Sequence, residues 1–339
     1  DHRSLPEAPG NPEASPVVDM KAIRVRRTGP PEVLRLEDAP PPVPQAGQVL
    51  MRVKASGVNP VDTYVRAGLF GYSPQVPYTP GADAAGLIEA VGGGVTRVAV
   101  GQRVFGGRSA SGAYAELATF DEPFVAPLPE RVSFAQGACV GIPFVTASWA
   151  LHRKAKVQPG ETVLVHGASG GVGTAAVQLA RAAGCSVIGT AGSPKGQARV
   201  RELGAAHVLD HRDPRHHQQV LELTGGKGVS VILEMLADRN LGQDLKLLAP
   251  FGRVVVSGSR GTVEIDPRDA MAREATILGT RLGNLTREEA QAIYAQLAQG
   301  LAEGALAPVV GRELPLAQAA EAHEAVMRPP AYGNFVLIP

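Results

Sequence analysis

Gly167, Gly170 and Gly173 stand three residues apart in residues 162–173, TVLVHGASGGVG. Glycines at this spacing can cradle a pyrophosphate, because their missing side chains allow a tight turn, close backbone approach to the ligand and close packing of helix on strand. Residues 162–165 are β-branched or apolar without interruption, as in a parallel strand covered on both faces. A helix predicted over 172–183 would point its free N–H groups and positive dipole end at the phosphates. The spacing alone carries little, since 40 of 339 residues are glycine. The order of strand, turn and helix supplies the specificity.

Charge bears on which nucleotide would bind. A site for NAD usually ends its second strand with Asp or Glu, about 20 residues past the glycines, to accept the ribose 2′-hydroxyl. Here that strand ends Gly189-Thr190-Ala191-Gly192-Ser193, without an acid. Lys195 and Arg199 follow within two helical turns, and Arg260 lies just past the fifth strand in SGSRGT. Missing negative charge and nearby cations predict NADPH over NADH. Lys195 and Arg199 also suit an ordinary solvated helix face, whereas Arg260 is held near the cofactor by flanking glycines.

The elements that must position these residues alternate in the manner of βαβ units. After the glycine turn and its helix come a strand over 186–190, a helix over 194–203, a strand over 207–209 and a helix over 215–223. A strand over 229–233, a helix over 241–248 and a strand over 253–257 complete the series. Ahead of it the pattern is short strands and turns, at 21–26, 33–37, 49–54, 85–91, 103–105 and 113–118. Behind it come a strand over 275–280, an amphipathic helix over 287–301 and a closing strand over 332–338, expected to return to the first domain. The fold class is therefore α/β: a doubly wound parallel Rossmann sheet inserted in a β-rich domain. The expected boundaries are 139–276 for the nucleotide unit and 20–138 plus 277–339 for the β-rich one. Residues 1–19, proline-rich and poor in apolar side chains, read as a disordered leader.

Hydrophobic content of 44%, charged content of 19% and a net charge of +1 describe a globular chain without a global pull toward nucleic acid or anionic membrane. No apolar run approaches the 18 or more residues of a membrane span. A cytoplasmic protein is expected. Cys139 and Cys185 lack ligand spacing and read as small buried hydrophobes. The apolar strand over 275–280 looks like a sheet edge that would pair with its twin, predicting a homodimer or homotetramer.

Several blocks together resemble the medium-chain dehydrogenase/reductase superfamily: GVNPVDTYVRAG, PYTPGADAAGLIEAVG, GIPFVTASWAL, HGASGGVG, GTAGSPKGQ, ILEMLADRNL, SGSRGTVEIDPRD and AEAHEAV. Within it the chain is similar to the zeta-crystallin group of NADPH:quinone oxidoreductases, over 20–338. The resemblance implies a GroES-like catalytic domain around the Rossmann unit. Gly333-Asn334 stands where that group has Gly-Lys, and 282–286 departs from its pattern.

Zinc-dependent members of the superfamily supply a Cys soon after the Gly-Val of the first domain, a His in Gly-His-Glu, and four further Cys. The corresponding places here are Asn59 and Ala82, and the chain has two cysteines. No metal is expected, since Zn²⁺ needs three or four ligands converging on one point. His207, His211, His216 and His217 cluster in sequence, but adjacent helical positions do not share a face.

Without a metal to polarise a carbonyl, a quinone or other conjugated acceptor is the expected substrate, because its own π-system delocalises incoming charge. The protein must hold the acceptor against the nicotinamide, exclude water and offer a hydrogen-bond donor. Tyr64 and Asn59, in the loop GVNPVDTY that replaces the zinc loop, are the candidate donors. Aromatic packing for Tyr64 and a backbone-bonding turn for Asn59 are their structural alternatives, and Asp62 reads as structural.

The resemblance further implies an NADPH lining. It comprises Tyr64, Ser169, Gly170, Gly171 and Val172, then Gly192, His211 and Asn240. Ser257, Gly258, Ser259, Arg260, Thr280, Arg281 and Leu282 complete it. Asn240 is also a candidate N-cap for the helix over 241–248. The same group implies two other classes of role, binding of AU-rich RNA and bulk structure in the lens. An aromatic content of 4% and the near-zero charge give RNA little physical support. An NADPH-dependent enal or enone reductase shares every feature named here.

Overall fold

The computed structural model of the chain describes residues 19–339. The expected leader lies outside them, Asp19 apart. The chain opens with an antiparallel pair, β1 (Met20–Val25) and β2 (Leu34–Ala39). The long β3 (Gln48–Val58) runs into helix α1 (Pro60–Ala67). Then come β4 (Asp83–Val91), β5 (Arg103–Gly106), β6 (Leu117–Asp121) and β7 (Val125–Pro127). Helix α2 (Phe134–Gly137) and helix α3 (Gly141–Ser148), which continues into a wider turn over Trp149–Ala155, lead into the nucleotide unit.

That unit alternates strictly: β8 (Thr162–Val165), α4 (Gly171–Ala182), β9 (Ser186–Thr190), α5 (Pro194–Glu202), β10 (His207–Leu209), α6 (His216–Leu223), β11 (Val229–Glu234), α7 (Ala237–Leu247) and β12 (Leu248–Val256). After α8 (Pro267–Met271), β13 (Thr276–Gly279) completes a parallel sheet of order β10-β9-β8-β11-β12-β13. The winding reverses between β8 and β11, which opens a crevice at their carboxyl ends, where doubly wound sheets bind ligands.

Helix α9 (Arg287–Glu303), β14 (Val310–Pro315), α10 (Ala319–Ala325) and β15 (Asn334–Ile338) carry the chain back. β15 pairs antiparallel with β3 and parallel with β14, so the last strand sits in the sheet begun by the first domain. One continuous apolar cluster joins the two lobes. Phe105 and Val336 of the β-rich lobe, Val165 and Val231 of the parallel sheet and Tyr294 of α9 all belong to it.

Three expectations are corrected. The strand read at 113–118 forms instead at Leu117–Asp121, and Ala115 makes only an isolated bridge to Ala22. The helix read from 241 begins at Ala237, so Asn240 lies inside its first turn and is not its N-cap. GVNPVDTY is not a loop beyond Asn59 but the start of α1.

Candidate active site at the domain junction

The phosphate turn is built as its glycines require. Gly167 has φ +58°, and a Cβ at Gly173 would stand 2.2 Å from the Gly167 carbonyl oxygen. Thr190 at the end of β9 fixes the turn, accepting the Gly167 N–H at Oγ1 (3.2 Å) and the Ala168 N–H at its carbonyl (2.8 Å). Gly171, Val172 and Gly173 open α4, so their N–H groups lack an acceptor one turn back in the helix. The other lobe holds this turn from the far side. Ser169 Oγ donates to the Ala331 carbonyl and the Gly333 N–H donates to the Ser169 carbonyl, both at 2.7 Å.

Beside the turn, His211 packs on Gly192, where a Cβ would lie 2.5 Å from its Nε2. Burial lowers the His211 pKa, favouring a neutral ring. Ser193 caps α5 by accepting the Gly196 N–H at 3.1 Å. Exposed Lys195 places Nζ 4.1 Å from the Tyr332 ring centroid, while Arg199 pairs with Glu202 at 2.8 Å. Of these two cations, Lys195 alone stays free of a carboxylate.

Across the crevice, Glu234 ends β11 fully buried. Its Oε1 accepts the Leu236 N–H and the Asn240 amide, the latter at 3.2 Å, which leaves the Asn240 oxygen to face away. His166 Nε2 lies 2.8 Å from Asp244 and 3.5 Å from Glu234. Sequence gave no sign that three ligand-capable side chains would converge, and here they do. Burial raises both acids and lowers the histidine, so the cluster is a proton-sharing network around a neutral imidazole.

The loop after β12 folds toward the cleft. The Ser257 N–H donates to the Glu234 carbonyl at 2.8 Å, and a Cβ at Gly258 would meet the Met235 carbonyl at 2.4 Å. Ser259 Oγ donates to the Gly261 carbonyl (3.0 Å), and the Arg260 N–H donates to Asp238 (2.8 Å). Thr280 Oγ1 donates to Val256, and Arg281 and half-buried Leu282 begin the next turn. Arg260 Nε donates to Tyr64 Oη at 3.2 Å, joining the nucleotide lobe to the β-rich one.

Helix α1 carries that tyrosine because its sequence encodes both ends. Pro60 is the first residue, Asp62 accepts the Asn59 N–H at 2.8 Å, and Gly68 closes the helix at φ +70°. Asp62 also accepts the Tyr114 hydroxyl at 3.1 Å, which makes it structural. Buried Asn59 turns its amide inward to Asp83 Oδ2 at 2.9 Å. Phe70 stands edge-on to Tyr64 at 5.0 Å, with φ +54° and 56% exposure. An exposed aromatic in that conformation is the kind of strain that functional sites retain. Phe70 and Asp83 were not anticipated. The positive φ leaves no sequence trace at a phenylalanine, but an acid inside the apolar run PGADAAGLI is a signal.

Residues 171–299 match the family model for zinc-binding dehydrogenase, and residues 45–130 match the alcohol dehydrogenase GroES-like domain. A zinc in the catalytic position does not fit this donor set, because Ala82 has no ligand atom and the Asn59 amide is bonded to Asp83. Quinone oxidoreductase of Rattus norvegicus is 50% identical over 309 residues, 91% of this chain and 94% of that one. The quinone oxidoreductase of Homo sapiens is 49% identical over 321 residues, 94% of this chain and 98% of that one. The solved quinone oxidoreductase of Pseudomonas syringae superposes with a TM-score of 0.85 at 35% identity, covering 94% of this chain and 100% of that one. A mycobacterial protein solved in complex with NADPH gives 0.86 at 34%, with the same coverage. With a phosphate turn, a parallel-sheet crevice and a GroES-like lobe closing on it, this chain belongs to the quinone oxidoreductases of the medium-chain dehydrogenase/reductase superfamily and is an oxidoreductase enzyme.

Proposed function

We propose that the protein reduces quinones with NADPH, without zinc, in the cleft between its lobes. The observation that carries this reading is the Arg260–Tyr64 contact, which puts a cation of the nucleotide lobe against the candidate donor of the acceptor side. The residues suit NADPH. The open N–H groups of α4 and the side-chain-free turn would take the pyrophosphate, and Lys195 and Arg260 offer positive charge to a 2′-phosphate. When bound, NADPH supplies the two electrons and the hydrogen of the reduction. The chain's own residues bind, orient and exclude water. His211 and Gly192 flank the nucleotide, Glu234 orients Asn240, and Ser257 to Arg260 with Thr280 to Leu282 form the opposite wall.

Tyr64 would donate to the acceptor oxygen, with Phe70 as the apolar wall beside it. Asn59 acts by positioning: its amide bond to Asp83 fixes the start of α1 and thereby Tyr64. β13 is the sheet edge, with Ile277 42% exposed, and supports a homodimer or a homotetramer built from it. Among the described residues no helix is long and apolar enough to cross a membrane. We place the protein in the cytoplasm.

The test is oxidation of NADPH by 9,10-phenanthrenequinone on chelator-treated protein, with NADH and trans-2-enals in parallel. Fast chelator-resistant oxidation of NADPH with the quinone is expected. Preference for the enal would make this an enal or enone reductase. Tight NADPH binding without oxidation by either acceptor would leave a binding role, to be followed with AU-rich RNA.

A further inference from the structure

Asp83 opens β4 fully buried, and its two carboxyl oxygens meet unlike surroundings. Oδ2 accepts the Asn59 amide at 2.9 Å and the Ile142 N–H at 2.8 Å. Oδ1 has no partner among the described residues. An oxygen already accepting two hydrogen bonds is the poorer seat for a proton, so the neutral acid carries its proton on Oδ1.

Space around Oδ1 is kept open by glycines. A Cβ at Gly141 would stand 2.1 Å from it, and one at Gly107 would stand 3.2 Å from it and 2.2 Å from Tyr294 Oη. Carboxyl and phenol therefore converge beside Gly107. They border a cavity of about 10 Å³ at the lobe junction, with Arg108, Phe124, Ile142 and Leu282 among its other walls. That volume suits roughly one water, which needs two to four polar partners. Asp83 Oδ1, Tyr294 Oη and the Arg108 guanidinium supply three.

Burial pushes the Asp83 pKa up to about 8, and Asp62 on α1 adds to the rise. Burial likewise keeps Tyr114, Cys139 and Tyr294 protonated around it. Arg108, stacked 4.5 Å from the Phe124 ring centroid, is the cation on this face. A carboxylic acid held neutral at pH 7 can donate where an ordinary aspartate cannot.

We propose that Asp83 is a proton reservoir for the reduction, passing its Oδ1 proton to the reduced acceptor through one water held between Asp83, Tyr294 and Arg108. The proposal rests on the quinone reading above. A quinone that has gained a hydride is a hydroquinone monoanion, short of one proton. The water gives that oxyanion a proton as it takes one from Asp83, so O–H bonds break on Asp83 and water and form on water and product. Asp83 is left as the carboxylate and regains a proton from solvent. No electrons pass through it, and each turnover consumes one proton.

Asp83→Asn tests the assignment because its amide oxygen can keep both Oδ2 hydrogen bonds while its NH₂ faces the cavity without a transferable proton. The wild type should lose kcat as pH rises through about 8, the protonated acid being the active form. In D83N that alkaline limb should vanish and kcat at pH 7 should fall at least tenfold, while single-turnover NADPH oxidation and the Kd for NADPH stay within threefold. Tyr294→Phe should lower kcat in the same direction by a smaller factor. Wild-type kcat with an unchanged alkaline limb in D83N would overturn the proposal. If D83N folds poorly, the same result in Y294F overturns it. A wild type that oxidises no NADPH with any quinone sinks the functional reading itself, a separate outcome.

Discussion

Arg260 is held at two points, by its backbone N–H on Asp238 and by its side chain on Tyr64. The Nε bond leaves the two terminal nitrogens of the guanidinium available to a phosphate. Arg260→Gln should therefore raise the Kd for NADPH about tenfold, as expected for losing a charge-assisted bond, and change that for NADH less than twofold. Fluorescence titration with both cofactors measures this, and equal losses for the two would remove Arg260 from the 2′-phosphate. This residue was legible in the sequence because a lone cation between glycines has few structural uses. Asp83 was not singled out, because its role depends on Asn59, Ile142, Gly107, Gly141 and Tyr294, which are far apart in the chain and meet only after folding. The inward turn of Asn59 was hidden for the same reason.

At the scale of elements, the phosphate turn is a contact between backbone and backbone. Gly173→Ala would force a Cβ to 2.2 Å from the Gly167 carbonyl, so α4 must lift from β8. NADPH affinity should fall at least a hundredfold, and calorimetry showing a wild-type Kd would contradict this account of the turn. The edge strand β13 makes a second prediction: Ile277→Lys should shift the light-scattering mass toward that of one chain. A wild type already at one chain's mass would dispose of the edge-pairing idea. Alternation of strand and helix made the parallel sheet readable, because each buried strand is a continuous apolar run. Helix α1 was read as loop although Asn59, Pro60, Asp62 and Gly68 spell its caps, since only two turns separate them and the apolar face is short. The shift of the 113–118 strand follows from pairing: β6 takes its register from β3, from Gln48 with Asp121 to Arg52 with Leu117.

Across the whole molecule, buried acids set the response to pH. Burial raises Asp83 to about 8 and Asp62 to about 6, and also raises Glu234 and Asp244, so the folded chain keeps protons that the unfolded chain has lost. Their contribution to stability is complete below about pH 4 and is lost as pH rises through the folded values. Buried His166 and His323 act in the opposite sense, being lowered from 6.5, and their effect is confined to pH below that value. Between pH 6.5 and 8 the acids act alone, so Tm should fall as pH rises. Asp83→Asn should flatten the upper part of that slope, and a Tm that rises across the window in the wild type would refute the assignment of buried neutral acids.

The bonds from Ala331 and Gly333 to Ser169 mean that the nucleotide unit is not portable. Excised from the chain, it would leave its phosphate-binding turn with a serine hydroxyl and a carbonyl stripped of their partners at the place where a cofactor must dock. Gene fusions or chimaeras that transplant this unit should carry the C-terminal segment with it, and a graft lacking that segment should arrive folded but poor at binding.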